Sequence, residues 1–484
     1  MNFKSTPFFT FLPIVFLIVL ILCLQGLVYH SLPVMILNDS VWYLDLTRYW
    51  AKGGFLPDYY AWHRPVGAMI EYPFGYPFFL DFCRWWGSVA WWGNGIVFFQ
   101  HFLSIGSVLL LFLIGLAMGR RIEGFCAAVF YAFYVPRLIY VQSIMAETLF
   151  IFLSLLSIYL FFLIITQKAS KNTGILLGIV TACSILTKPL AIVTAGVFLL
   201  FFIFLRFEKR VITGYLCSFL FIVLSNFVYN GYFYREFTLT TVSGCHLANR
   251  VFGVDRLVDI KDPSTQQIIS SCSHSGVPCQ FPGLWWEYLY ALRSDGKTSQ
   301  QADRIIIKAA LAGIRKNPVL FVKDTGQVLI NNIFQEDHWV DTKALLDERR
   351  YFDYLNFWST EKRNFLPKAE YQARQKMIKA IKFTYPTSVW HGMIKNWMLS
   401  GLHVFSMFRE WLRWLVWGCF IYAFFSGDMK LVFLDFFVMA NLLLVALLEA
   451  PFPRYFESFV PVVILFIILS VSNAFQRARA KWHE

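Results

Sequence analysis

Asp39 stands one step beyond the first apolar run of this chain, and Glu71 precedes the closing element Pro73-Phe74-Gly75-Tyr76-Pro77 of the polar stretch that follows. An acid beside a hydrocarbon slab costs free energy, so acids kept at that edge are candidates for proton transfer. The residues between them predict a helix over Trp42–Ala51, ended by Gly53-Gly54. Asp39 reads equally as an N-cap for that helix. Asp45 and Arg48, three residues apart, read as a pair on one helix face. His63 and Arg64 fit a solvated loop, and Glu71, Tyr72 and Tyr76 fit packing beneath the prolines.

Cations complement these acids. Arg137, Lys188 and Arg454 are each the lone basic residue of a short turn between apolar runs, all expected on the same face as Asp39. One such residue reads as a side chain snorkelling to a headgroup. Three at one face favour an anionic ligand, and the anion at that depth is a lipid phosphate. Glu147 opens the next apolar run. It pairs with Arg137 or forms another buried ion pair that holds a hairpin. Trp42, Tyr43, Trp62 and Trp85-Trp86 add aromatic rings to this edge, and for Trp85-Trp86 an interfacial belt is the simpler reading.

These residues need a membrane to position them. The chain has 484 residues, 57% hydrophobic, 19% aromatic and 15% charged, against roughly 25% charged in a soluble domain. Apolar segments near 8–28, 95–118, 124–142, 147–166, 173–188, 190–205, 211–230, 405–426, 430–450 and 455–475 give about ten spans, at roughly 20 residues each for a hydrocarbon core. The expected fold is an all-α polytopic membrane protein with an external α-rich domain. The first apolar run is too long for a signal-peptide core and no small-residue cleavage site ends it, so it reads as a retained span. Between 173 and 205, basic clusters at both ends require an even number of crossings, and Thr187-Lys188-Pro189 is the turn of a hairpin.

The net charge of +13 is a topology signal. Lys4, Arg120-Arg121, Lys168 with Lys171, Arg206 with Lys209-Arg210, Lys430, and Arg477, Arg479 and Lys481 mark alternate connections, as cytoplasmic loops do. Both termini are then cytoplasmic and the loops 29–94 and 231–404 external. Nothing in this pattern supports nucleic-acid binding. Three parts follow: 1–230 with the first external loop, 231–404 as the external domain, and 405–484 returning to the membrane.

In the external part, Gln300–Arg315 is helix-forming and Asn317-Pro318 stops it. Leu320–Phe334 predicts an interfacial amphipathic helix, and Trp390–Arg413 a second interfacial approach. Of nine cysteines, Cys23, Cys126, Cys183, Cys217 and Cys419 sit in apolar spans as small hydrophobes. Cys245, Cys272 and Cys279 fall where oxidation is allowed. Cys272–Cys279 is the expected local disulfide; a zinc site with His274 lacks a fourth ligand at a standard spacing.

The order of these features resembles the GT-C superfamily of membrane glycosyltransferases, especially the protein O-mannosyltransferase and lipid A aminoarabinose transferase group. Asp39-Ser40-Val41-Trp42-Tyr43 is similar to the first-loop motif, with Asp and Tyr in register. Tyr72-Pro73-Phe74-Gly75-Tyr76-Pro77 resembles the element that closes that loop. Met145-Ala146-Glu147-Thr148-Leu149-Phe150 resembles the acidic motif of the fourth span, Leu186-Thr187-Lys188-Pro189 the fifth-span turn, and Arg454-Tyr455 through Pro461 the last span. The likeness covers 1–230 and 450–475 and leaves the external domain unassigned. Ser40 stands where that group often has Glu, which weakens a role for a second first-loop acid, metal binding included.

The resemblance implies transfer of a sugar from a polyprenyl-phosphate donor to an acceptor hydroxyl on the external face, with inversion. Asp39 is then the base, with Glu71 or Glu147 as partners. Lys188, Arg454, Arg137 and Arg64 are the candidates for the donor phosphate, and Trp42, Tyr43, His63, Tyr72 and Tyr76 for substrate contact. No step requires a metal or other cofactor, although some superfamily members use a metal. The implied partners are the lipid donor, a glycan, lipid or protein acceptor, and the bilayer, which in a bacterium is the inner membrane with the site facing the periplasm. The rivals are a polyprenyl-lipid flippase, an O-antigen ligase or polymerase, and a non-catalytic scaffold. A flippase would show inverted repeats and polar groups near the midplane, whereas the charges here concentrate at one face.

Overall fold

The computed structural model describes residues 7–32, 34–35, 40, 43–44, 73–84, 86, 92–166, 170–234, 236–240, 243–275, 285–332, 389–448 and 458–482. Its helices are α1 (Pro7–Ser31), α2 (Gly75–Arg84), α3 (Trp92–Ala117), α4 (Arg121–Ala132), α5 (Val135–Gln142), α6 (Glu147–Thr166), α7 (Lys171–Thr187), α8 (Ile192–Phe204) and α9 (Lys209–Tyr234), then α10 (Ser243–Ala248), α11 (Pro263–Ser275), α12 (Trp285–Ser294), α13 (Ser299–Lys316), α14 (Pro318–Asn332), α15 (Val389–Ser426), α16 (Met429–Leu448) and α17 (Val460–Trp482). No strand occurs among the described residues beyond one isolated parallel bridge, Met35 to Ser143. The protein is an all-α polytopic membrane protein.

Six described helices are long and apolar enough to cross a membrane, and a seventh if α4 and α5 count as one span bent by 58°. The bend falls at Phe133-Tyr134, just before Pro136, whose ring restricts the backbone ahead of it. α7 and α8 are shorter apolar helices. Between them Lys188 is extended (φ −143°, ψ 119°) and Pro189 opens a 3-10 turn over Pro189–Ala191, so the expected hairpin forms where the proline stops α7. The span expected at 405–426 is the far end of the 38-residue α15, which at about 1.5 Å per residue is nearly twice the hydrocarbon thickness. Its first half packs instead with α1 and α5, through Ile394, Met398 and Leu402 against Leu24, Val28 and Ile139.

One end of the bundle is interlocked by polar side chains. Lys430 Nζ donates to the Met118 carbonyl at 2.8 Å, Arg120 Nη1 to Gln476 Oε1 at 2.7 Å, and Ser472 Oγ to Glu123 Oε1 at 2.7 Å. These contacts gather the α3–α4 turn, the α15–α16 turn and the outgoing half of α17, three of the basic clusters, at one end. The turns at 143–147 and 187–189 lie at the other.

The helices α10 to α14 share a separate core of Val251, Phe252, Leu257, Ile268, Tyr288, Leu292, Ile306 and Phe321. α13 begins with a capping box: Thr298 Oγ1 accepts from Gln301 N at 3.1 Å, and Gln301 Oε1 accepts from Thr298 N at 3.0 Å. Asn317 caps its end as expected. Arg250 is wholly buried, pairs with Asp255 and donates from Nε to the Ala446 carbonyl of α16 at 3.1 Å, tying this unit to the bundle. Burial pushes the Asp303 carboxyl up to about 6 and raises Glu236 above the usual range. Cys272 is disulfide-bonded; its expected partner, Cys279, lies outside the described residues.

Candidate active site at one end of the bundle

The fifth-span turn and the fourth-span acid meet directly. Glu147 is the first residue of α6, where the positive end of the helix dipole favours an acid. Lys188, released from helix by Pro189, donates from Nζ to Glu147 Oε1 at 2.8 Å. Both residues are buried, at 2% and 9% exposure, so the pair sits in a medium where its attraction is strong and the loss of either partner is costly. Glu147 Oε2 has no partner among the described residues. The Lys188 ammonium also lies 5.7 Å from the centre of the Phe150 ring.

The element that closes the first loop docks on this turn. Gly75 starts α2 so close to α7 that a Cβ there would stand 2.6 Å from the Leu186 carbonyl carbon and 2.7 Å from Thr187 N. Only glycine lets the two backbones meet so closely. Tyr76, fully buried, donates its phenol to Gln100 Oε1 at 2.7 Å, and Gln100 Nε2 donates in turn to the carbonyls of Val141 and Ser143 at 2.8 and 2.7 Å. Burial, then the neighbouring Tyr43, Cys83 and Glu147, raise the Tyr76 phenol well above its usual value.

First-loop residues join the same patch. Tyr43 meets Tyr76 edge to face at 4.7 Å between ring centres, and Tyr43, Leu44, Tyr76, Leu80, Cys83, Ile96, Ile144 and Ala146 form one buried cluster immediately ahead of Glu147. The lead-in to the loop is pinned as well: Met35 N donates to the Gln142 carbonyl at 2.9 Å and Ile144 N to the Met35 carbonyl at 3.0 Å. Ser40 is buried. Of the predicted site residues, Tyr43, Tyr76, Glu147 and Lys188 are therefore brought together. Asp39, Trp42, His63, Arg64, Glu71, Tyr72 and Arg454 lie outside the described residues.

Arg137 is placed differently from its sequence reading. It sits in α5, past the bend, rather than in a turn, and is 3% exposed. Its Nη1 donates to Ser104 Oγ at 3.0 Å and its Nη2 to the Ala132 carbonyl at 2.7 Å, with Tyr131 beneath the guanidinium at 5.1 Å. Glu147 pairs with Lys188 and not with Arg137. Sequence reasoning passes over Gln100, buried against Tyr76, and Gln25, His101, Ser104 and Gln142, all buried and bonded to one another or to the loop lead-in. Their signal is polar side chains inside apolar spans, which are expensive unless used.

No group of three or more His, Cys, Asp or Glu suited to a metal ion occurs among the described residues. No protein family matches the sequence, and no curated protein does. Among solved structures, the chain is similar to ArnT from Cupriavidus metallidurans bound to undecaprenyl phosphate, with a TM-score of 0.40 and 12% identity over 95% of this chain and 78% of that one. It is similar to the apo state of the same protein at a TM-score of 0.37 and 11% identity, over 94% and 76% of the two chains. A likeness of that size has no weight for the site, whose chemistry comes from this chain's own residues.

Proposed function

We propose that this chain is an integral membrane glycosyltransferase that moves a sugar from a polyprenyl-phosphate donor to an acceptor hydroxyl. The observation that carries the reading is the convergence of three separated motifs. At the end of the bundle away from the basic interlock, Gly75 meets the backbone just before Lys188, Lys188 pairs with Glu147, and the buried cluster of Tyr76 runs to Ala146 beside that acid. Structural needs alone would be met more cheaply by apolar residues of similar size.

In this reading the lipid tail lies among the spans and its phosphate is held by Lys188 with Arg454 and Arg64. Asp39 takes the proton of the acceptor hydroxyl as that oxygen attacks the anomeric carbon. The bond to the phosphate oxygen breaks on the opposite side, the configuration inverts, and the electron pair leaves with the phosphate. Lys188 stabilises the charge that develops there, and electrostatic stabilisation of this kind often contributes most to catalysis. Glu147 holds the Lys188 ammonium in place before the donor arrives. Tyr43 and Tyr76 pack behind the wall of the sugar site, with Trp42, His63 and Tyr72 as contacts and Glu71 as a second acid. Arg137, committed to Ser104 and the Ala132 carbonyl, is left out of the phosphate set. No step requires a metal.

The site would face the periplasm of a bacterial inner membrane, with both termini cytoplasmic, since the basic clusters gather at the opposite end. The acceptor is a surface glycan, lipid A, O-antigen or a protein, selected by the external unit. Transfer of a radiolabelled sugar in proteoliposomes tests the reading: wild-type activity that falls at least about 100-fold in Asp39→Asn supports it. Movement of the lipid between leaflets without transfer overturns it in favour of a flippase.

A further inference from the structure

A file of polar side chains crosses the apolar bundle from α5 to the end of α1. Arg137 Nη1 is 3.0 Å from Ser104 Oγ, Ser104 Oγ is 3.3 Å from the Gln25 amide, and Gln25 meets His101 Nδ1. His101 Nε2 is 3.0 Å from Gln142 Oε1, and Gln142 Nε2 is 2.7 Å from the Leu32 carbonyl. All five side chains are at most 5% exposed.

Both ends of this file have fixed polarity. A guanidinium only donates and a backbone carbonyl only accepts. Gln142 must therefore give its N–H to Leu32 and take a proton from His101 Nε2. In a neutral ring Nδ1 is then an acceptor, and Gln25 must donate to it. Gln25 stands with Oε1 towards His101 Nδ1 and Nε2 towards Ser104 Oγ. In that sense both ring nitrogens face oxygens, which requires a second positive charge beside Arg137 in an apolar slab. Ser104 would also accept twice, with no acceptor for its own proton among the described residues. The two ends of the amide share one shape, so the bonding pattern decides between them. With Gln25 turned over, Ser104 accepts from Arg137 and donates to Gln25, and each link of the file joins one donor to one acceptor.

We infer that Arg137, Ser104, Gln25, His101 and Gln142 form a one-way hydrogen-bond chain, with His101 as the Nε2–H tautomer, that positions the Leu32–Met35 segment leading into Asp39. Gln142 anchors that segment twice, by its side chain at Leu32 and by its own carbonyl at Met35 N. Its catalytic arm rests on the proposed function; the hydrogen-bond chain and the anchoring do not.

The test uses the full chain in nanodiscs. Nitrogen-15 spectra of labelled histidine should show one of the nine histidines, assigned by its absence in His101→Asn, as a neutral Nε2–H ring. Gln25→Glu, which can only accept at Nδ1, should convert that signal to a doubly protonated ring at the same pH; if His101→Asn fails to fold, this change makes the assignment. A wild-type ring already doubly protonated, or carrying its proton on Nδ1, overturns the chain. Gln142→Leu should speed amide exchange at Met35 and Ile144 at least about tenfold. Unchanged exchange overturns the positioning role whether or not the protein transfers sugar. Where it does, Gln142→Leu should lower kcat by about 10²-fold with the donor KM unchanged. A raised KM at unchanged kcat contradicts positioning. Absence of transfer in the wild type, with the tautomer and exchange as stated, removes the proposed function and leaves the positioning chain.

Discussion

The Lys188 ammonium sits 2.8 Å from Glu147 Oε1, joining two turns that are 41 residues apart in the chain. Pro189 frees Lys188 from α7 and Glu147 opens α6, so each end of the bond is set by a local break in helix. The pair is buried, and the second carboxylate oxygen of Glu147 has no partner among the described residues. A structural ion pair and a cation held ready for an anionic ligand make opposite predictions.

Lys188→Met or Glu147→Gln alone should destabilise the protein by about 3–5 kcal/mol, because each strands its former partner's polar or charged group in a low dielectric. The double variant Lys188→Met with Glu147→Leu should recover most of that loss in thermal unfolding. Transfer should stay absent in the double variant. Recovery of transfer along with stability would make the pair structural only.

Gly75→Ala places a methyl group against the Leu186 and Thr187 backbone. Because backbone cannot step aside as a side chain does, the expected cost is about 1–3 kcal/mol. Transfer should fall with it as the loop-closing element lifts from the turn that carries Lys188. Gly196→Ala, inside α8 with nothing within 4 Å, should leave transfer unchanged and raise stability by at most about 1 kcal/mol. Thermal unfolding and transfer rates of the two variants provide the comparison.

Stability should depend on pH through the external unit. Asp303, which accepts from Gly244 N at 2.6 Å, is pushed by burial up to about 6, against roughly 3.9 when exposed. The folded state thus binds the proton more tightly. This contribution is fully present below about pH 4 and is lost as pH rises through about 6. Glu236, raised by burial too, acts in the same direction. The unfolding temperature should be lower at about pH 7.5 than at about pH 5, and Asp303→Asn should shrink the difference. An equal or larger difference in the variant would contradict the assignment.

Most of the bundle is legible in the sequence because a hydrocarbon slab imposes one strong rule, about 20 apolar residues per crossing. Lys188-Pro189 marks the hairpin turn because proline acts on the residue before it. Cys272 reads as a disulfide cysteine because the external part allows oxidation, and it is disulfide-bonded. The helix Val389–Ser426 reads as two pieces because Arg409, Glu410 and Arg413 interrupt its apolar run, whereas the backbone continues through them. Arg137 reads as a turn residue since a lone cation in an apolar run usually ends a span. It instead donates to another helix, at Ser104, and that partner is 33 residues away. The pairing of Glu147 with Lys188, and the file from Ser104 to Gln142, depend on which helix faces which, information that no single-span pattern contains.

The most direct test of the central claim is sugar transfer from a polyprenyl-phosphate donor by purified protein in proteoliposomes, wild type against Asp39→Asn at matched expression and unfolding temperature. The account predicts transfer by the wild type and a loss of at least about 100-fold in the variant. Equal transfer by the two proteins would contradict the assignment of Asp39 as base, and no transfer by a folded wild type across several donors would contradict the enzyme itself.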